Sequence, residues 1–327
     1  MKIAYYEKLG RAADVLKISE VEKPKPGPDE VLVRIYFSGL NPTDIKARTG
    51  FSKGMPFPRI IPHQDGAGVI EEVGENVSNT RLGERVWLYE TQYSRANGTA
   101  AEYVAVQSKN AVFLPDNVSF EVGASLGIPA LTAYRCLFAD GDLNGGKVLV
   151  HGGAGVVGNA AILLAKSAGA WVAATVLNDK QAKQATEAGA DLVMHRFDDD
   201  VAKLIENHTQ SKGVDRIVDV SLISNLDLNI SCLSQSGVIS AYATPDADSI
   251  VEVPLLKAMM HGCVFRFVYI YNVPENEKLK SVVEVNKLLS LGLYNPKIGK
   301  KYKFTEIIAA HEALESGEII GKILLEI

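Results

Sequence analysis

Residues 147–150 form a short apolar strand that runs directly into His151-Gly152-Gly153-Ala154-Gly155-Val156-Val157-Gly158, and from there into an amphipathic helix expected over 159–168. This strand, turn and helix restrict the fold more than any other stretch of the chain. Glycine at 152 permits a tight turn, glycine at 155 lets a ligand approach the backbone, and glycine at 158 lets the helix pack closely on the strand. The amides and the positive end of the helix dipole then face outward, an arrangement that holds phosphate. A glycine-rich turn alone can also be purely steric. Here the flanking elements, with three further β/α units behind them, favour a dinucleotide site whose candidate contacts are Gly152, Gly155, Val156, Val157 and Gly158.

Those units are read as strands over 171–176, 192–195, 216–220 and 238–242, alternating with helices that Gly169 and Gly189 close. Short strands alternating with helices indicate a parallel sheet. Tyr242, at the end of its strand, joins the candidate cofactor contacts. Upstream of about residue 115 the pattern is different: strand-like runs over 30–36, 68–73, 85–89 and 101–106 are separated by Gly, Pro and Asn, with no sustained helical period. Near the other end, 277–291 reads as a helix stopped by Gly292, and 322–327 as a final strand.

At 327 residues the chain is long enough for two domains. Its hydrophobic share of 47% supports a large core, and its net charge of -5 gives no field for a polyanion, so neither nucleic acid nor an acidic membrane surface is expected as a partner. No apolar run reaches membrane-spanning length and no secretory leader is read, so the expected location is cytoplasmic. Cys136, Cys232 and Cys263 are too scattered for a disulfide framework or a structural zinc site.

The choice of dinucleotide turns on the end of the second strand, where an acidic residue would bind the ribose 2′-hydroxyl. The sequence there is Ala174-Thr175-Val176-Leu177-Asn178, with no carboxylate until Asp179, which is read as a helix N-cap. Lys180, Lys183 and Arg196 lie nearby. The expected cofactor is therefore NADPH, with Lys180 and Arg196 on its 2′-phosphate; the alternative for these cations is a solvated helix face.

With the turn at 152–158, the motifs Gly39-Leu40-Asn41-Pro42-Thr43-Asp44, Pro62-His63-Gln64-Asp65-Gly66-Ala67-Gly68, Leu131-Thr132-Ala133-Tyr134 and Gly321-Lys322 give the chain a wider likeness. It resembles the medium-chain dehydrogenase/reductase superfamily, and within it the zinc-free quinone oxidoreductase branch that includes zeta-crystallin. The resemblance implies an α/β architecture: a GroES-like β-rich catalytic domain over 1–122, a Rossmann domain with a parallel six-stranded sheet over 123–266, and a return segment over 267–327. It also implies an active-site cleft between the domains and, commonly, a homodimer.

Zinc-dependent relatives carry a ligating Cys where this chain has Asn41 and a ligating His where it has Gln64, so no metal is expected. His63 stands beside a ligand position. Carried over from the family, Asn41 lies beside the nicotinamide and substrate and is the candidate catalytic residue, Thr132 lies near the carboxamide, and Lys322 lies near the closing edge of the cofactor cleft. Without the family match, Asn41 would read as a turn residue before Pro42. Asp44 and Arg48 match a structural run and are expected to satisfy each other. Many relatives have tyrosine where this chain has Ser52 and Arg196.

The activity implied is NADPH-dependent reduction of quinones. Reduction of enones or enals is the alternative, and a dinucleotide-binding protein without catalysis is the third possibility. Trp87, Tyr89 and Tyr93 fit either core packing or an acceptor pocket.

Overall fold

The computed structural model describes residues 1–51 and 54–327. The chain packs as two units, one made of Met1–Ile128, Leu289–Gly292 and Pro296–Ile327, the other of Pro129–Leu288 and Leu293–Asn295.

The first unit is β-rich. Strands β1 (Lys2–Tyr5) and β2 (Lys17–Glu20) form an antiparallel pair. Strands β3 (Glu30–Gly39), β4 (Asp65–Val73), β5 (Arg85–Leu88), β6 (Tyr103–Gln107) and β7 (Ala111–Phe113) belong to a larger sheet. Val31, Val33 and Ile35 of β3 alternate onto one face, where Ile70, Val86, Leu88 and Val104 meet them in a closed core. β-branched residues dominate this cluster because their stiff side chains suit a pleated surface.

The second unit holds β8 (Lys147–His151), β9 (Trp171–Val176), β10 (Leu192–His195), β11 (Val214–Asp219), β12 (Leu233–Ala241) and β13 (Val264–Phe267). All are parallel, in the order β10-β9-β8-β11-β12-β13. Val148, Leu149 and Val150 are fully buried, as expected of a strand covered by helices on both faces. The chain leaves β8 for β9 on one side and returns to β11 on the other, so the carboxyl ends of β8 and β11 form the topological switch point where ligands bind in such sheets.

The last strands, β14 (Ile298–Lys303) and β15 (Lys322–Glu326), rejoin the first unit, β15 pairing antiparallel with β3. By packing, Leu289–Gly292 and Pro296–Ile327 group with the first unit, while helix Glu275–Ser290 buries Val282, Val285 and Leu288 of the second. The β-rich region also contains a helix, Pro42–Thr49, where no helical period is visible in the sequence. Its buried residues are Asp44 and Arg48, so its inward face carries no apolar stripe to read.

Candidate functional site

The glycine turn is built as its spacing requires. Gly152 has φ +68°, the left-handed region open to glycine at little cost. A Cβ on Gly158 would lie 2.1 Å from the Gly152 oxygen, so only glycine lets the helix sit there. Gly155 is exposed, and a Cβ on it would meet only the Gly152 oxygen, at 3.2 Å; a side chain there would fill the space a diphosphate needs. The helix runs Val156–Ser167, three residues earlier than expected, because Gly155 serves as its N-cap. With no cap from a side chain, the first-turn amides at Val156 and Val157 have no partner inside the helix. These residues fit a dinucleotide pyrophosphate.

At the end of β9, Asn178 and not Asp179 is the N-cap: its side chain accepts from the Gln181 amide at 3.1 Å. Asp179 instead opens helix Asp179–Glu187, with its carboxylate 3.4 Å from His195 Nε2. Lys180 is exposed in the first turn. Arg196 is half-buried beside the same strand end, its amide bonded to the Val176 oxygen at 2.8 Å. Tyr242 follows β12, its amide donating to the Asp219 oxygen at 3.2 Å, and Thr132 is buried on helix Gly127–Phe138.

In the first unit Asn41 caps helix Pro42–Thr49, its own amide donating to Asp44 Oδ2 at 2.7 Å. Its side chain joins a buried triangle. Asn41 Nδ2 donates to Asp65 Oδ2 at 2.8 Å, and Lys322 Nζ donates to both Asn41 Oδ1 and Asp65 Oδ2 at 2.7 Å. Lysine can only donate, so the orientation of the Asn41 amide is fixed. Lys322 and Asp65 are fully buried and form an ion pair. Gly39 admits the lysine stem: a Cβ there would lie 2.8 Å from Lys322 Cε. Asp65 was not a candidate from sequence, since its partner Lys322 is 257 positions away.

The donors at 41 and 64 do not fit zinc. Both are neutral amides, and Lys322 Nζ beside Asn41 would oppose a divalent cation. The Gln64 amide is paired with Gln92, Nε2 donating to Gln92 Oε1 and Oε1 accepting from the Gln92 backbone amide, both at 3.1 Å. His63 faces the core: Nδ1 lies 2.8 Å from Ser38 Oγ and Nε2 lies 3.0 Å from His311 Nε2. Burial and the neighbouring imidazole hold His63 well below the usual histidine range, and burial takes His311 down to about 3. Burial pushes the Asp44 carboxyl up to about 8.

Asp44 and Arg48 do not satisfy each other. Arg48 donates to the Gly10 oxygen and to Glu315, leaving Asp44 to the cap. Trp87 and Tyr89 are fully buried. Ser52 lies outside the described residues.

A glycine turn that fits a dinucleotide pyrophosphate, at the switch point of a parallel sheet on a chain whose other unit is GroES-like and β-rich, defines a two-unit dehydrogenase/reductase. Comparison with known proteins agrees. Residues 27–116 match the alcohol dehydrogenase GroES-like domain and residues 156–285 the zinc-binding dehydrogenase family. A quinone oxidoreductase of Lama guanicoe is 31% identical, with 95% of this chain and 93% of that protein covered. An alcohol dehydrogenase of Geobacillus stearothermophilus is 36% identical over 80% of this chain and 82% of its own. The structure of Escherichia coli quinone oxidoreductase complexed with NADPH superposes with a TM-score of 0.85 at 25% identity, with both chains covered in full. The chain belongs to the medium-chain dehydrogenase/reductase superfamily, in its zinc-free quinone oxidoreductase branch, and is an oxidoreductase.

Proposed function

We propose that the protein is an NADPH-dependent, zinc-independent reductase that transfers hydride to quinones. The observation that carries the cofactor choice is the end of β9. Asn178 stands where an acidic residue would select NADH, and its side chain is used on the helix cap. Arg196 stands beside it with Nη1 bonded to no protein atom among the described residues. A 2′-phosphate would meet a cation there, with Lys180 close by in sequence. The similar E. coli protein holds NADPH, and the similar llama protein is a quinone oxidoreductase.

When bound, the dihydronicotinamide supplies the hydride. The chain must hold the acceptor and stabilise charge appearing on its oxygen. Asn41 suits this role, since one Nδ2 hydrogen goes to Asp65 and the other has no protein acceptor among the described residues. A neutral donor suffices for an acceptor already polarised by conjugation, whereas a simple alcohol needs a stronger acid or base. Enones and enals share that polarisation and form the second reading. Thr132, Tyr242 and the turn residues Gly152, Gly155, Val156, Val157 and Gly158 complete the proposed cofactor contacts. We place the protein in the cytoplasm; no helix among the described residues is long and apolar enough to cross a membrane.

The reading includes a second copy of the chain as partner. Strand β13 is an edge of its sheet, and Phe267 on it is exposed together with Leu255, Leu256, Met259 and Met260 of the preceding helix. An unpaired edge beside such an apolar patch suits pairing with the same edge of a second copy about a two-fold axis.

The test is a pair of titrations followed by turnover. NADPH should bind more tightly than NADH, and kcat/KM with a small quinone should exceed that with an enone. Tighter NADH binding overturns the cofactor choice, and a higher kcat/KM for enones moves the assignment to the second reading.

A further inference from the structure

Arg196 is the proposed contact of the 2′-phosphate, and the inference drawn from its surroundings rests on that reading. Its guanidinium is not loose. Nε donates to Asn225 Oδ1 at 2.9 Å and Nη2 to the Ser224 oxygen at 3.3 Å. Because Nε can only donate, the Asn225 amide has one allowed orientation, and its Nδ2 accordingly donates to Asp219 Oδ1 at 3.0 Å. Asp219, fully buried at the carboxyl end of β11, also accepts from the Ser221 amide at 2.6 Å and from Asn229 Nδ2. Asn225 and Asn229 are one turn apart on helix Leu222–Cys232, so both present their amides to the same carboxylate.

The chain of bonds continues to the glycine turn. With its Nδ2 on Asp219, Asn229 turns Oδ1 to His151 Nε2 at 2.8 Å, which requires the imidazole hydrogen on Nε2. His151 Nδ1 then accepts from Thr175 Oγ1 at 2.9 Å. Burial keeps the ring below its ordinary range, in agreement with this neutral form. His151 ends β8 and immediately precedes Gly152. The network thus spans the switch point from the turn to the guanidinium, and each amide in it has its orientation set by its neighbours.

We propose that Asn225, locked by Asp219, is a specificity-positioning residue: it holds Arg196 by Nε, so that Nη1 is presented to the 2′-phosphate of NADPH. NADH has no group that uses this arrangement. Removing Asn225 therefore costs affinity only for ligands that carry the 2′-phosphate.

The experiment measures dissociation constants of NADPH, NADH, 2′,5′-ADP and 5′-ADP for the intact protein and for Arg196→Ala, Asn225→Ala and Ser224→Ala. Asn225→Ser, too short to reach Arg196 and Asp219 together, is the second variant should the alanine protein not fold. Loss of Asn225 should weaken NADPH and 2′,5′-ADP by about threefold or more while NADH and 5′-ADP change by less than about twofold. Ser224→Ala keeps the carbonyl that Arg196 uses and should match the parent. Equal weakening of all four ligands by Asn225→Ala would show a purely structural role and overturn the inference. Selective loss in Arg196→Ala without it in the Asn225 variants leaves the NADPH reading standing and the inference refuted. No selective loss in Arg196→Ala removes Arg196 from the 2′-phosphate, and the inference with it.

Discussion

Asn41 shows how a residue that reads as a turn former acquires a chemical setting. It caps a helix through its backbone, and its side chain is held between a buried lysine and a buried aspartate. If the remaining Nδ2 hydrogen steadies the acceptor oxygen, Asn41→Ala should lower kcat by about tenfold or more, with NADPH affinity little changed. Steady-state kinetics beside a nucleotide titration check this; unchanged kcat on a proven acceptor returns Asn41 to the cap alone. Asp44 makes a separate prediction. It faces Asp65 and Lys322 as well as the Asn41 amide, and burial raises its carboxyl from 3.8 to about 8. The native state then binds more protons than the unfolded state between these values, so this contribution to stability falls as pH rises through the window. His63 and His311 act oppositely: their lowered values make stability rise with pH up to the ordinary 6.5. Of the three, only Asp44 changes protonation in the folded protein between about pH 6.5 and 8. Urea midpoints should decline across that interval in the parent protein and stay flatter in Asp44→Asn; equal declines in both would contradict the buried protonated carboxyl.

Among the elements, the strand, turn and helix around Gly152 were legible because every part of the signal is contiguous. Spacing, flanking apolar runs and glycine placement all fall within about two dozen residues. The two glycines after the turn should separate when replaced. Gly158→Ala forces a Cβ to 2.1 Å from the Gly152 oxygen and should cost about 2–4 kcal/mol of stability. Gly155 has φ -67° and a Cβ there would meet only the Gly152 oxygen, at 3.2 Å, so Gly155→Ala should cost far less stability than Gly158→Ala yet lose most of its dinucleotide affinity. Thermal melts with NADPH titrations test the pair; full affinity in a folded Gly155→Ala protein would remove the diphosphate from this turn. Helix Pro42–Thr49 was hidden for the opposite reason. Its cap signal, Asn41 with Pro42 and Asp44, is present, but its inward residues, Asp44 and Arg48, are of ionisable type and break the apolar period. The Asp219 network was equally silent, since Asn225 and Asn229 at helical spacing look like any polar face until Asp219 at the end of β11 is placed beneath them.

For the whole molecule, the two sequence regimes, β-rich then alternating, correspond to two packed units, whereas the return of the chain to the first unit was available only from the family resemblance. The Asp65–Lys322 pair depends on that return, because β15 brings Lys322 back to β3 from the far end of the sequence. Edge strand β13 carries an assembly prediction: light scattering should give roughly twice 35.3 kDa, and Leu256→Glu with Phe267→Glu should shift the protein toward monomer. A parent protein that is monomeric at micromolar concentration would contradict it. Hydride delivery from NADPH to a conjugated acceptor is tested most directly by comparing two steady-state rates on one preparation: NADPH oxidation by a small quinone, and NADP⁺ reduction by simple alcohols. Quinone-dependent NADPH oxidation should exceed alcohol oxidation by at least about a hundredfold in kcat/KM, a difference of about 2.7 kcal/mol in barrier. Efficient alcohol oxidation with quinones and enones inert would contradict hydride delivery to a conjugated acceptor.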